Sequence, residues 1–117
     1  MTEDITSPHP LIGRWRIVRM DHGDADAIDL LGPAFIDFTE DGMGELSFIA
    51  IQGSLDCRPE PRDGHEGVAF SWVGVDEFDP TSGRGWAVAK GSGLEGHLYI
   101  HQGMDSHFTA EPFLPED

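Results

Sequence analysis

Leu11-Ile12-Gly13-Arg14-Trp15-Arg16-Ile17-Val18-Arg19-Met20 is the stretch from which the fold is read. Side chains alternate along an extended backbone, so Trp15 and Ile17 share one face of this strand while Arg14 and Arg16 share the other. Segments further along the chain alternate in the same way. The simplest body they make together is a small closed or nearly closed β-barrel with Trp15 at its floor.

Working outward, residues 1–10 hold two prolines and little to bury and read as a flexible leader, and 113–117 as an acidic tail, which leaves 11–112 as one barrel domain. After the first strand, Asp24 is placed to cap a short helix from Ala25 to Leu31. Ala27, Ile28, Leu30 and Leu31 give that helix an apolar stripe, Asp26 and Asp29 suit its positive end, and Gly32-Pro33 stops it. Two turns of helix are not stable alone, so it is expected to lie across one mouth of the barrel. The second strand is Ala34–Thr39, with Ile36 and Phe38 on one face. Glu40–Gly44 is a glycine-rich hairpin turn, Glu45–Gln52 the third strand, Gly53 a break, and Ser54–Arg58 the fourth strand. Pro59–Gly67 reads as an exposed loop, Val68–Val73 as the fifth strand and Asp76–Gly83 as another loop. The sixth strand is Arg84–Lys90, with Trp86 and Val88 on one side and the small Gly85, Ala87 and Ala89 on the other, a sign of close packing. Leu94–His101 shows the clearest period of two, and His107–Glu111 is the last strand. The expectation is an all-β fold, an antiparallel meander barrel of about eight strands with one short helix between the first two.

Composition narrows the function. The chain has 117 residues, enough for one core, and its eight prolines and fifteen glycines favour a meander over a helical bundle. No run of about 18 apolar residues is present, and the N-terminus is acidic rather than basic and apolar, so the expected location is cytoplasmic. Cys57 is the only cysteine, which excludes an internal disulfide and a thiolate metal cage. Seven basic residues stand against twenty-two acidic ones, a net charge of −15. Such a field opposes phosphate backbones and anionic lipid, so neither direct nucleic-acid nor membrane binding is expected. It suits either plain solubility or docking on a partner's basic groove, as a nucleic-acid mimic would dock. Arg14, Arg16 and Arg19 cluster in the first strand, which implies local pairing with carboxylates.

Gly13-Arg14-Trp15 resembles the Gly-x-Trp signature that opens the first strand of lipocalin-like, or calycin, barrels, and the order strand, helix, meander is similar to that group. The resemblance implies an eight-stranded barrel that holds a small ligand. Gly13–Ile17, Ser82–Trp86 and Asp105-Ser106 with Phe108 and Ala110 are also similar to a family of small uncharacterised bacterial proteins, a likeness that spans most of 13–110 and implies no activity.

Several constellations bear on chemistry. Gly91-Ser92-Gly93-Leu94-Glu95-Gly96 matches the dinucleotide fingerprint in letters, but that motif needs a helix after its glycines, and here a strand follows, so it reads as a hairpin turn. His97 and His101 fall on one strand face, with His107 across the last hairpin near Asp105. Imidazoles and a carboxylate in that arrangement suit zinc, or a haem held by one axial histidine, although strand-surface histidines are common; no cofactor is predicted outright. Ser106 beside His107 and Asp105 is not a triad, because neighbours on an extended chain point apart. Nothing positively supports an enzyme.

The barrel interior is the remaining candidate. Trp15, Phe38, Phe48, Phe70, Trp72 and Phe108 sit at alternate positions that converge inside, and they either line a ligand pocket or simply fill the core. The first expectation is therefore non-catalytic binding of a small apolar molecule or peptide. The second is an acidic protein-protein interaction module, an inhibitor or a homodimer-forming regulator, on a basic partner surface. The third is a metal-dependent enzyme using His97, His101 and His107.

Overall fold

The structure, a computed structural model, describes residues 11–21 and 25–113; the expected leader, the Asp24 cap and residues 114–117 of the tail lie outside the described residues. Eight strands follow in order, with one helix after the first: β1 (Gly13–Met20), α1 (Ala25–Ile28), β2 (Phe35–Phe38), β3 (Met43–Phe48), β4 (Ile51–Pro59), β5 (Gly67–Asp76), β6 (Asp79–Lys90), β7 (Gly93–Ile100) and β8 (Asp105–Pro112). Each strand pairs antiparallel with the next, and β8 returns to β1, which closes the barrel. Closure leaves no unpaired sheet edge. The seam carries a bulge between Ile17 and Arg19, a common device where a sheet must bend.

Alternation runs as expected on the inner wall. Ile17, Ile36, Phe38, Leu46, Phe48, Leu55, Phe70, Trp72, Leu98 and Phe108 all belong to one buried core. A barrel this narrow cannot place rings opposite rings, and cross-strand register shows how it avoids doing so. Phe70 faces Gly85, Trp72 faces Gly83, Phe108 faces Gly96 and Phe38 faces Gly44. A Cβ on Gly85 would lie 2.7 Å from Phe70 Cζ, and one on Gly96 would lie 2.7 Å from Phe108 Cζ, so each ring occupies the space its glycine leaves. Interiors are packed to crystal-like density, and here that density is reached by interlocking large and small residues across strands.

Several boundaries differ from expectation, among them the end of the third strand, where Ile49 and Ala50 turn the chain into β4. Gly53 does not break a strand: it continues β4, and a Cβ there would come within 3.1 Å of Trp72 Cε3. Asp76–Gly83 is not a loop, since β5 and β6 run on to a turn of only Glu77 and Phe78 between the paired Asp76 and Asp79. The helix is one turn, Ala25–Ile28, and not two. Its docking follows the expectation nonetheless, because Ile28 is buried and its carbonyl accepts the Ile49 N–H at 2.9 Å, fixing it against the end of the barrel where β3 turns into β4.

Two of the three clustered arginines of β1 pair with carboxylates, and among the described residues Arg19 makes no ion pair. Arg14 reaches Asp37 at 3.0 Å and stacks on Phe35 at 4.0 Å. Arg16 grips Asp29 through both carboxylate oxygens, at 2.7 and 2.6 Å. Asp29 also accepts the Ala34 N–H, so it does not serve the helix N-terminus but ties the segment after α1 to β1.

Candidate ligand cleft at the open barrel mouth

At the end opposite α1, the chain before β1, the close of β2 and β4 and the start of β5 surround a cleft of about 140 Å³. Ile12, Phe38, Cys57, Pro59 and Val68 form its apolar walls. The β2–β3 turn builds one side. The Thr39 hydroxyl donates to the Asp41 carboxylate, the Met43 N–H donates to the same oxygen at 3.2 Å, and Gly42 takes a φ of +80° that glycine adopts without strain. The Cys57 N–H then donates to the Gly42 carbonyl at 2.7 Å, which locks the turn to the end of β4. On the other side the Trp15 indole N–H donates to the Leu11 carbonyl at 2.9 Å and holds the chain before β1 against the barrel.

Carboxylates stand on the β2–β3–β4 side of this apolar floor. Glu40 lines the cleft, and Asp37, Asp41 and Asp56 stand close enough to act on the Cys57 thiol. Burial first, then those three negative charges, push that thiol up to about 11. A thiol so placed stays protonated at neutral pH and behaves as apolar lining rather than as a nucleophile. The Thr39 hydrogen bond holds the Asp41 carboxyl below its usual range, so the rim remains charged. Among the described residues Arg58 is the one basic residue lining the cleft.

Of the six aromatic residues expected to meet a ligand, Phe38 lines this cleft and Phe70 backs it, the two rings lying 6.2 Å apart. Trp15 is half-buried against the core. Phe48, Trp72 and Phe108 are buried in side-chain packing. Toward the other end of the barrel the space beside Met20, Phe48 and Leu98 is only about 10 Å³, room for no more than one water. Ile12, Cys57 and Val68 escaped the sequence reading as site residues, although Cys57 shares the inward parity of Leu55 and was legible on that ground.

The three histidines do not converge. His97 and His107 are direct cross-strand partners on the outer wall, their rings 6.5 Å apart, with His97 Nε2 3.1 Å from Asp105 and His107 Nε2 3.9 Å from Glu95. His101 lies past the end of β7, in a turn pinned by its N–H to the Ser82 carbonyl. Among the described residues no group of three or more His, Cys, Asp or Glu side chains is placed to hold a metal ion. Ser106 is buried and structural: its hydroxyl accepts the Asp21 N–H and donates to the His107 carbonyl, both at 3.0 Å. Gly91-Ser92 is a two-residue hairpin turn, as expected.

Comparison with family models, curated proteins and solved structures returns no match to this chain, so what can be said of its function rests on the barrel and its surface.

Proposed function

We propose that this protein is a non-catalytic binding protein of lipocalin-like build that takes a small apolar group bearing a positive charge into the mouth of its barrel. The observation that carries the reading is the cleft itself, apolar at its base between Ile12, Phe38, Cys57 and Val68 and acidic at its rim. A cavity of about 150 Å³ is known to admit one benzene ring, so the scale suits a single aromatic or branched side chain rather than a long lipid. The Gly-x-Trp opening of β1 and the helix that follows it support the calycin likeness. Titration with benzyltrimethylammonium, followed by amide chemical shifts, tests the proposal. Saturable shifts confined to Ile12, Phe38, Cys57 and Val68, at least tenfold weaker binding of benzoate, and loss of both in Val68→Trp are expected. Equal affinity for benzoate, or no localised shift, overturns it.

A second reading, docking on a basic protein surface, is favoured by Phe78. This side chain is 96% exposed at the tip of the β5–β6 hairpin, among Asp76, Glu77 and Asp79, with Val73 and Val75 exposed on the strand behind it. Glu77 holds the turn at a φ of +58°, a costly conformation for a residue with a Cβ. A synthetic amphipathic lysine-leucine peptide serves as the probe. Phe78→Ser is expected to weaken its binding tenfold, and an unchanged affinity overturns the reading.

A further inference from the structure

On the outer wall, cross-strand register aligns two rows. Arg58, Ala69, Trp86, His97 and His107 form one, and Ser71, Arg84, Tyr99 and Asp105 form the other. The loop between β4 and β5 folds back over β6 through Ala89 N–H to Glu66 carbonyl, and it lays the Arg62 guanidinium 4.2 Å above the Trp86 ring. Arg84 sits 5.6 Å over Tyr99. Because Ala69 is small, a cleft of about 480 Å³ opens above it, bounded by Glu60, Arg62, Arg84, Trp86 and Tyr99.

The charge here runs against the rest of the molecule. Twenty-two carboxylates are available to seven basic residues, yet not all seven are paired. Arg14, Arg16 and Lys90 are paired. Among the described residues Arg19, Arg58 and Arg84 make no ion pair; of these Arg84 shares a cleft with Arg62, whose one ion pair there is with the exposed Glu60 at 3.6 Å. Two guanidinium forks beside two half-buried aromatic rings match one kind of ligand: a planar ring to stack with them and a phosphate for the forks.

We propose that this wall binds a single phosphorylated aromatic group of mononucleotide size, its phosphate between Arg62 and Arg84 and its ring against Trp86 and Tyr99. Glu60, at the edge of the cleft, offers an acceptor to a ribose hydroxyl or a base amine. The net charge of −15 selects against longer polyanions, since each added phosphate works against the same field while only the first meets the guanidinium pair. The proposal is independent of the mouth cleft, which lies on other residues.

Calorimetry and Trp fluorescence with adenosine monophosphate, adenosine, inorganic phosphate, phosphotyrosine and a short oligothymidylate test it. Adenosine monophosphate is expected to bind at least tenfold more tightly than adenosine or inorganic phosphate, to quench Trp86, and to outcompete the oligonucleotide. Arg84→Gln and Tyr99→Leu each weaken it tenfold or more, Arg84→Lys by less, and Lys90→Gln not at all. Arg84 is exposed, so its variants keep the native spectrum. Equal binding of inorganic phosphate, an unaffected Arg84→Gln, or preference for the oligonucleotide overturns the proposal; preference for phosphotyrosine replaces the nucleotide with a modified peptide and overturns it likewise.

Discussion

Single side chains decide how two parts of this molecule respond to pH. The Cys57 thiol keeps its proton to about 11 in the folded barrel, whereas the unfolded chain loses it near 9.0. Between those values the native state binds more protons than the unfolded state, so this group's contribution to stability falls as pH rises through that window. Alkylation by iodoacetamide checks the cause: the rate should climb with a midpoint near 11 in the native protein. Asp56→Asn, which removes the charge with the largest effect of the three, should shift that midpoint down. Asp29 behaves in the opposite sense. Its hydrogen bond from Arg16 holds its carboxyl below the ordinary 3.8, so the stabilisation is complete above that value and is lost as pH falls through the lower, folded one. Asp29→Ala removes a charged, partly exposed pair and the acceptor of the Ala34 N–H, and should cost about 1–2 kcal/mol in urea denaturation at pH 7 and less as the pH falls below the ordinary 3.8.

Between elements, the decisive contacts are those of rings with glycines. Gly85→Ala would set a Cβ 2.4 Å from the His97 carbonyl oxygen as well as against Phe70, and neither the backbone nor a buried ring gives way cheaply. The expected loss is about 3 kcal/mol or more, measured by chemical denaturation. Gly91→Asn makes the contrast, since Gly91 has open space around it and a φ of +59° that Asn tolerates, so its cost should stay under about 1 kcal/mol. At the β5–β6 tip, Phe78→Ser should leave stability within about 0.5 kcal/mol, because a ring that is 96% exposed contributes almost no burial. The length of that hairpin was hidden in the sequence by Pro80, Thr81, Ser82 and Gly83, which read as loop residues. They are strand here because β5 supplies a partner at every position from Asp76 to Gly67.

For the whole molecule, the excess of fifteen negative charges acts against compaction. Raising the salt from about 0.01 M to about 0.2 M shortens the screening length severalfold and should raise the melting temperature by roughly 2–5 °C, as read by circular dichroism. A fall in melting temperature would mean that the ion pairs of Arg14 and Arg16 outweigh the general repulsion. Sequence alone determined the class of fold and its sign of charge: inside-outside alternation is local and repeats in every strand, and charge is a sum over residues. Tertiary structure alone decided which glycine lies beneath which ring, and hence that the deeper rings fill the interior while a cleft remains at one mouth. It also decided that His101 stands apart from His97 and His107, and that Arg62 rests on Trp86. Each of those facts depends on register between strands or on where a loop returns, and neither is encoded in the period of any one segment.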